Sequence, residues 1–160
     1  MLIRTAEKKD TEAIWRILEP TIRAGETYTL KKDLSMDEAI AYWCSPSHKV
    51  FVAEIEGEVV GTYYIRPNQQ GGGRHFANCG YMTAGSKSGK GIARAMCSHS
   101  LQYTKEHGYH AIQFNFVVSS NERAVRLWQQ FGFQIVGTLP GAFEHPKLGY
   151  VDAFVMYKKL

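Results

Sequence analysis

Apolar residues recur at helical spacing in two early segments of the chain, after a short strand at Leu2 to Thr5. Asp10 or Thr11 is expected to cap the first helix. Pro20 is expected to bend or end it, because proline removes a backbone donor and clashes with the preceding turn. The second helix begins with a capping box in which Ser35 and Glu38 are the reciprocal partners. The sequence therefore predicts a strand followed by two helices.

The period then changes to that of strands. Two β-rich runs, 50–55 and 59–65, flank Glu56-Gly57-Glu58 and predict a hairpin. The remaining elements are, in order, a strand at 75–82, a helix from Ile92 to about His107 stopped by Gly108, a strand at 111–118, a helix capped by Asn121 and ended by Gly132, and strands at 133–138 and 150–157. The order is β-α-α-β-β-β-α-β-α-β-β, which predicts an α/β fold with a mixed sheet covered by helices.

Composition narrows the class of protein. The chain has 160 residues, which is enough for one well-buried core, so a single domain over residues 1–160 is expected. It contains no apolar run long enough to span a membrane and no apolar segment of signal-peptide length at its start. Cys44, Cys79 and Cys97 are scattered and form no CxxC pair, so we expect neither a disulfide framework nor a metal site. A cytoplasmic location is the natural expectation.

A glycine-rich loop carries the clearest chemical signal. A strand runs into residues 83–91, which include Gly85, Gly89 and Gly91, and a helix follows directly. Small residues let the backbone approach a ligand, and the first-turn amides of a helix have no internal partner. Nearby Lys and Arg side chains add positive charge, so the loop predicts an anion site. The net charge of +4 is modest and its basic residues cluster here, so nucleic-acid binding is not expected.

Two motifs at matching spacing resemble the GCN5-related N-acetyltransferases. Residues 88–93 are similar to the family's Gln/Arg-x-x-Gly-x-Gly/Ala loop, although Ser88 stands where Gln or Arg is usual. Residues 121–133 resemble the family's Asn-x-x-Ala-x-x-Leu-Tyr-x-x-x-Gly-Phe segment. The resemblance implies the acyl-CoA N-acyltransferase fold, acetyl-CoA as the donor and no metal. It also implies a set of cofactor-binding residues: Met82, Thr83, Lys87, Ser88, Gly89, Lys90, Gly91, Ile92, Ala93, Asn121, Ala124 and Trp128.

Further runs are similar to one branch of this family, which acetylates the toxic proline analogue azetidine-2-carboxylate in yeast. They include residues 78–81, 114–121 and 63–68. The likeness implies a small amine or amino acid as acceptor, with Asn78, Tyr81, Tyr28 and Tyr64 as substrate-binding residues. It also implies that Asn115 lies at the reacting centre. An amide inside the apolar run 112–118 must find hydrogen bonds or cost about 1–3 kcal/mol, which favours a role facing a ligand.

The chemistry implied is direct attack of an amine on a thioester, with the Met82 amide or a close neighbour stabilising the oxyanion. Glu26, His75 and His145 are candidate bases for the amine proton. The family commonly has a Tyr to protonate the departing thiolate, but Trp128 stands at that position here, and its indole is only a donor. Ser120 or a water is expected to assist.

Two alternatives to a small-molecule acetyltransferase remain open from the sequence. One is acetylation of protein N-termini or lysines, and the other is a non-catalytic module that binds acyl-CoA. Because relatives commonly form homodimers, the resemblance also implies a homodimer.

Overall fold

The fold is defined by a computed structural model that describes residues 1–87 and 89–160. The strands are β1 (Leu2–Thr5), β2 (Lys49–Ile55), β3 (Glu58–Pro67), β4 (Phe76–Thr83), β5 (Ala111–Val118), β6 (Gln134–His145) and β7 (Gly149–Lys159). The helices are α1 (Thr11–Ala24), α2 (Met36–Trp43), α3 (Ile92–Glu106) and α4 (Glu122–Gln130). Their order is the one that the sequence predicts.

The structure differs from the expected element boundaries at two places. α1 does not end at Pro20 but continues to Ala24. Apolar side chains of α1 are buried on both sides of the proline, and the free energy gained by burying them exceeds the penalty of about 3 kcal/mol for a proline inside a helix. β6 does not end at Thr138 but continues to His145. A register shift between Leu139 and Phe143 accommodates the Pro-Gly pair inside this strand, as bulges do in edge strands.

All seven strands form one mixed sheet in the order β1-β2-β3-β4-β5-β7-β6. Every neighbouring pair is antiparallel except β4 and β5, which are parallel. β4 and β5 pair only at Phe76 with Ala111 and at Ala77 with Ile112. The sheet is therefore held together in its middle by a short parallel contact.

Helices cover both faces of the sheet, and each face has its own core. α1 and α2 bury Ile14, Ile22 and Trp43 against β2, β3 and β4. On the other face, α3 and α4 bury Met96 and Trp128 against the same sheet. Within the described residues, no helix is long and apolar enough to cross a membrane.

A buried carboxylate fastens β1 to the start of α1. Asp10 is 4% exposed and accepts from both terminal nitrogens of Arg4, at 2.7 and 2.9 Å. It also accepts the backbone amide of Glu7 at 2.8 Å, and Arg4 reaches Glu54 on β2. The hydrogen bonds from Arg4 hold the pKa of Asp10 below its usual value.

We expect Asp10→Asn to lower the free energy of unfolding at pH 7 by about 1–3 kcal/mol, because Arg4 loses one of its two charged partners and keeps only Glu54. Since the folded pKa of Asp10 is the lowered one, its stabilisation is present above the unfolded value of 3.8, begins to fall near that pH and is lost as the pH falls through the folded pKa. Urea unfolding at pH 7 and at pH 3.5 checks this. An unchanged difference between the two proteins at both pH values would contradict it.

Candidate active site

The strands β4 and β5 separate immediately after their short parallel contact. Beyond Ala77 and Ile112 they continue to Thr83 and Val118, and no further pair joins them in the part of the chain that the structure describes. Backbone groups on the facing edges therefore need partners other than the neighbouring strand. The gap is a pocket of about 270 Å³, called here the strand pocket. Its lining includes Asn78, Tyr81, Asn115, Tyr28 and Tyr64.

Side-chain amides line one side of the strand pocket. Asn78 donates to the backbone carbonyl of Gln113 at 2.9 Å, just where the two strands separate. The Gln113 side chain donates to Asn115 at 2.9 Å, and Asn115 donates to Asn68 at 2.7 Å. Asn115 thus finds both a donor and an acceptor in the protein, so its presence in an apolar strand does not by itself require a ligand. The amide nitrogens of Asn78 and Asn115 each keep a second hydrogen.

The ends of the β3–β4 ladder decide which backbone groups face the gap. The Ala84 amide donates to the Val60 carbonyl at one end, and the Asn68 amide donates to the Phe76 carbonyl at the other. The register between these ends is unbroken, and bonded pairs alternate with non-bonded pairs in an antiparallel ladder. Even-numbered residues of β4 therefore direct their backbone groups toward β3, and odd-numbered residues direct theirs toward β5.

This ladder corrects the expected role of the Met82 amide. Met82 pairs with Thr62, so its amide points toward β3 and away from the gap. Its side chain is buried under α1 and α2. The backbone amides that face the gap belong to its neighbours, Tyr81 and Thr83.

The aromatic residues at the gap are held firmly. The Tyr28 hydroxyl donates to the Tyr81 carbonyl at 2.8 Å, which satisfies one of the exposed backbone groups of β4. The Ser100 hydroxyl donates to the Cys97 carbonyl, so the Tyr81 hydroxyl is the donor in its 2.6 Å bond to Ser100. Burial raises the pKa of Tyr81 well above its usual value. The Tyr81 ring therefore packs in the core, and its hydroxyl proton is held in the hydrogen bond to Ser100.

A second cleft, of about 490 Å³, opens at the N-terminal ends of α3 and α4 and is called here the helix-end cleft. Gly91 is the N-cap of α3 with φ +75°, a left-handed conformation that favours glycine. Glycine has no side chain with which to cap the helix, and no capping side chain occurs among the described residues. The first-turn amides of α3 are therefore free to bind an anion, as the sequence predicts.

Positive charge surrounds the helix-end cleft, and no carboxylate is among its described lining residues. The four cationic side chains are Lys87, Arg94, Arg123 and Arg126. Lys87 is paired with Glu58 at 2.7 Å, and Arg94 is hydrogen-bonded to Gln130 and packs over Phe131. The other expected cofactor residues in the lining are Thr83, Gly89, Gly91, Ile92, Ala93, Asn121, Ala124 and Trp128.

The two clefts meet at four shared residues: Tyr81, Asn121, Ala124 and Trp128. Asn121 caps α4 by accepting the Ala124 amide, which fixes the start of this helix. Trp128 packs against Tyr81, with ring centroids 5.0 Å apart. A ligand in the helix-end cleft can therefore reach the strand pocket past Trp128.

Glu26 is a weak candidate for a base. Its carboxylate is 2.9 Å from the Lys147 ammonium, and this bond lowers the pKa of Glu26. A carboxylate with a lowered pKa holds a proton less readily. Glu26 is also not among the described residues that line the strand pocket.

The two histidine candidates are also poorly placed. Nδ1 of His145 accepts the backbone amides of Lys147 and Leu148, at 3.1 and 3.2 Å, so the neutral ring carries its proton on Nε2. His75 precedes β4 and is not among the described residues that line the strand pocket, which begins on this strand at Asn78.

Three other expected residues lie outside the described lining of both clefts. Ser120 is in the turn after β5, Lys90 is an exposed residue of the glycine loop, and Met82 is buried in the core formed with α1 and α2. Ser88 lies outside the described residues. No group of three or more metal-ligating side chains occurs among residues 1–87 and 89–160.

The sequence patterns indicate no role for Arg66, Asn68 or Gln113. Arg66 lies opposite Asn78 in the β3–β4 register and lines the strand pocket. Asn68 and Gln113 complete the chain of side-chain amides. The sequence does show polar residues interrupting apolar strands. Which of these residues contact one another depends on the strand register, which the sequence does not reveal.

Comparison with known proteins identifies the family. The sequence profile of the acetyltransferase (GNAT) family matches residues 12–133, which is more than half of the chain. The chain belongs to this family. As a GNAT protein, it is an acetyl-CoA-dependent N-acetyltransferase.

Relatives match over most of this GNAT chain. A GCN5-related N-acetyltransferase structure from Kribbella flavida is 38% identical, with a TM-score of 0.95, and the match covers 99% of this chain and 97% of that one. The N-acetyltransferase aca1 of Schizosaccharomyces pombe is 27% identical over 151 residues, which are 84% of this chain and 72% of that protein. A phosphinothricin acetyltransferase from Sinorhizobium meliloti, solved with acetyl-CoA, shares the fold at 19% identity and a TM-score of 0.87, covering 99% and 88% of the two chains.

We expect Gly91→Ala to weaken binding of coenzyme A about tenfold, because relieving the strain at φ +75° redirects the first-turn amides of α3. Gly108→Ala is the matched control: its φ is +78°, it also has nothing within 4 Å of an added Cβ, and it lies past the other end of α3. Both variants should lose similar stability, but only Gly91→Ala should lose affinity in calorimetric titration. Equal affinities in the two variants would contradict the assignment.

Proposed function

We propose that this enzyme acetylates the amine of a small amino acid or a proline-like analogue, by direct attack of the amine on the acetyl thioester. The observation that carries the proposal is the strand pocket, an amide-lined space of about 270 Å³ that joins the helix-end cleft at Trp128. This volume is at the low end for ligand pockets, which favours a small acceptor over a peptide segment.

The helix-end cleft would hold the cofactor. The first-turn amides of α3 and the cationic side chains around them suit a pyrophosphate, and Gly89 and Gly91 allow a close approach of the backbone. The cofactor supplies an acetyl group activated as a thioester. The gap-facing amides of Tyr81 and Thr83 can donate to the oxygen of an acyl group placed between the strands.

The strand pocket would orient the acceptor. Asn78 and Asn115 each offer a second amide hydrogen, and the Tyr64 and Tyr28 rings form the wall toward α1 and α2. Among the described residues, neither a carboxylate nor an imidazole lines this pocket. The amine proton is therefore proposed to leave through water at the pocket mouth.

Release of free coenzyme A thiol from acetyl-CoA tests the proposal. We expect turnover with proline-like imino acids or small amino acids, and no comparable turnover with peptides. Asn115→Ala should lower kcat/KM for the best acceptor about tenfold or more, because it removes one positioning amide. Gln102→Ala is the control, since that amide lies on the exposed face of α3 and, within the described part of the chain, bonds only Glu106.

The absence of thiol release with every small amine would overturn the proposal. Full activity in Asn115→Ala would remove this residue from the reacting centre while leaving the function intact.

We also propose a homodimer that forms along β6. This strand is at the edge of the sheet, is 12 residues long and exposes Ile135, Val136 and Leu139. A long edge strand with exposed apolar side chains favours pairing with another chain. Sedimentation equilibrium should show a dimer, and Val136→Glu should shift it toward monomer. A monomeric wild type at tens of micromolar would contradict this.

A reducing compartment, which we propose to be the cytoplasm, suits the three free cysteines. Cys79 and Cys97 are buried and Cys44 is exposed, and none of the three forms a disulfide in the described structure.

A further inference from the structure

Arg66 is the one charged side chain among the described residues that line the strand pocket. It lies on β3 opposite Asn78, on the sheet face that carries the side-chain amides. Arg66 makes no hydrogen bond or ion pair within the described part of the chain. The pocket therefore carries a positive charge that the protein does not balance.

The neighbouring groups do not change this charge. His48 stacks on Tyr64, with ring centroids 4.2 Å apart. Burial, with a smaller contribution from Arg66, lowers the pKa of His48, so its imidazole is neutral at pH 7. Burial raises the pKa of Tyr64, so its phenol is neutral at that pH. The guanidinium is thus a single unpaired cation facing a small pocket.

An unpaired cation is unfavourable for the acceptors that a generic amine acetyltransferase would use. Polyamines, lysine side chains and peptide N-termini all arrive as cations without a nearby anion. Like charges repel most strongly where water is partly excluded. An amino acid differs because its carboxylate can neutralise the guanidinium while its amine points elsewhere.

We propose that Arg66 binds the carboxylate of the acceptor, so that the strand pocket selects amino and imino acids over amines that lack a carboxylate. The planar guanidinium matches a carboxylate through two parallel hydrogen bonds, and the second hydrogens of Asn78 and Asn115 can complete the binding site. This inference rests on the proposed function and adds the residue that determines its specificity.

Acceptors that differ only at the carboxylate test the inference. L-proline is compared with L-prolinamide, and L-alanine with L-alaninamide, by thiol release at saturating acetyl-CoA. Wild type should prefer each acid over its amide by about 10- to 100-fold in kcat/KM. The amine of each amide is less basic than that of its acid, so a larger fraction of it is in the neutral, nucleophilic form. This difference favours the amides, so a preference for the acids is found only if the carboxylate itself is recognised.

Arg66→Gln should remove the preference mainly by raising KM for the acids, with little effect on the amides. The preference of Arg66→Lys for acids should lie between those of wild type and Arg66→Gln, because lysine keeps the positive charge but lacks the planar guanidinium that donates two parallel hydrogen bonds. Arg74→Gln is the matched control. It removes the same charge from an exposed guanidinium that bonds the Gly71 carbonyl and is not among the described lining residues.

The possible outcomes separate this inference from the proposed function. An active enzyme that uses acids and amides equally, or whose preference survives in Arg66→Gln, overturns the role of Arg66 and leaves the acetyltransferase function intact. If wild type turns over no acceptor, the proposed function fails, and calorimetric titration of L-proline and L-prolinamide into coenzyme A-saturated protein decides the inference. Binding of the acid alone, lost in Arg66→Gln, supports it, and equal binding or no binding of either contradicts it.

Discussion

The separation of β4 from β5 is the constraint on which the rest of the site depends. Two parallel strands that stop pairing leave rows of amide and carbonyl groups facing each other across a gap, and such groups are costly when buried without partners. The protein satisfies some of them itself: Asn78 caps the Gln113 carbonyl, and Tyr28 caps the Tyr81 carbonyl. The backbone amides that remain at Tyr81 and Thr83 face the space where an acyl group can lie. The sheet thus builds the site from its own backbone.

The split stays open because side chains fill it from one face. Phe114 stacks on Phe133 at a centroid distance of 4.5 Å, and Trp128 lies 5.1 Å from Phe114 and 5.0 Å from Tyr81. Aromatic rings in this arrangement occupy the wedge between the strands under α4, where closing the sheet would displace them. On the opposite face the wedge is lined by amides instead. The α4 face of the gap is therefore filled by packed aromatic side chains, and the opposite face is available to bind a ligand.

Short sequence motifs correctly predict those features of the fold that depend on a few neighbouring residues, such as helix caps. The capping box at Ser35 and the Asn121 cap are each specified within one turn of chain, and both are present. The continuation of α1 past Pro20 is not specified locally, because it depends on burial of the apolar face, which outweighs the local cost of the proline. The orientation of the Met82 amide and the position of Arg66 beside Asn78 depend on strand register, which links residues far apart in sequence. No local pattern specifies that pairing.

The aromatic residues at the junction of the two clefts determine what kind of catalysis the proposed function can use. Trp128 is only a donor through its indole, and the Tyr81 proton is committed to Ser100, so neither is suited to protonate a departing thiolate. A general acid contributes about 10²- to 10⁴-fold, whereas correct placement of two reactants can supply about 7–11 kcal/mol. A thiol with a pKa of about 8.5 leaves readily as its anion near neutral pH. A site that fixes the acceptor through side-chain amides and places it against backbone donors therefore retains the contribution from placing the reactants, which is the larger of the two. With Trp128 in place of a tyrosine, only the smaller contribution, from a general acid, is lost.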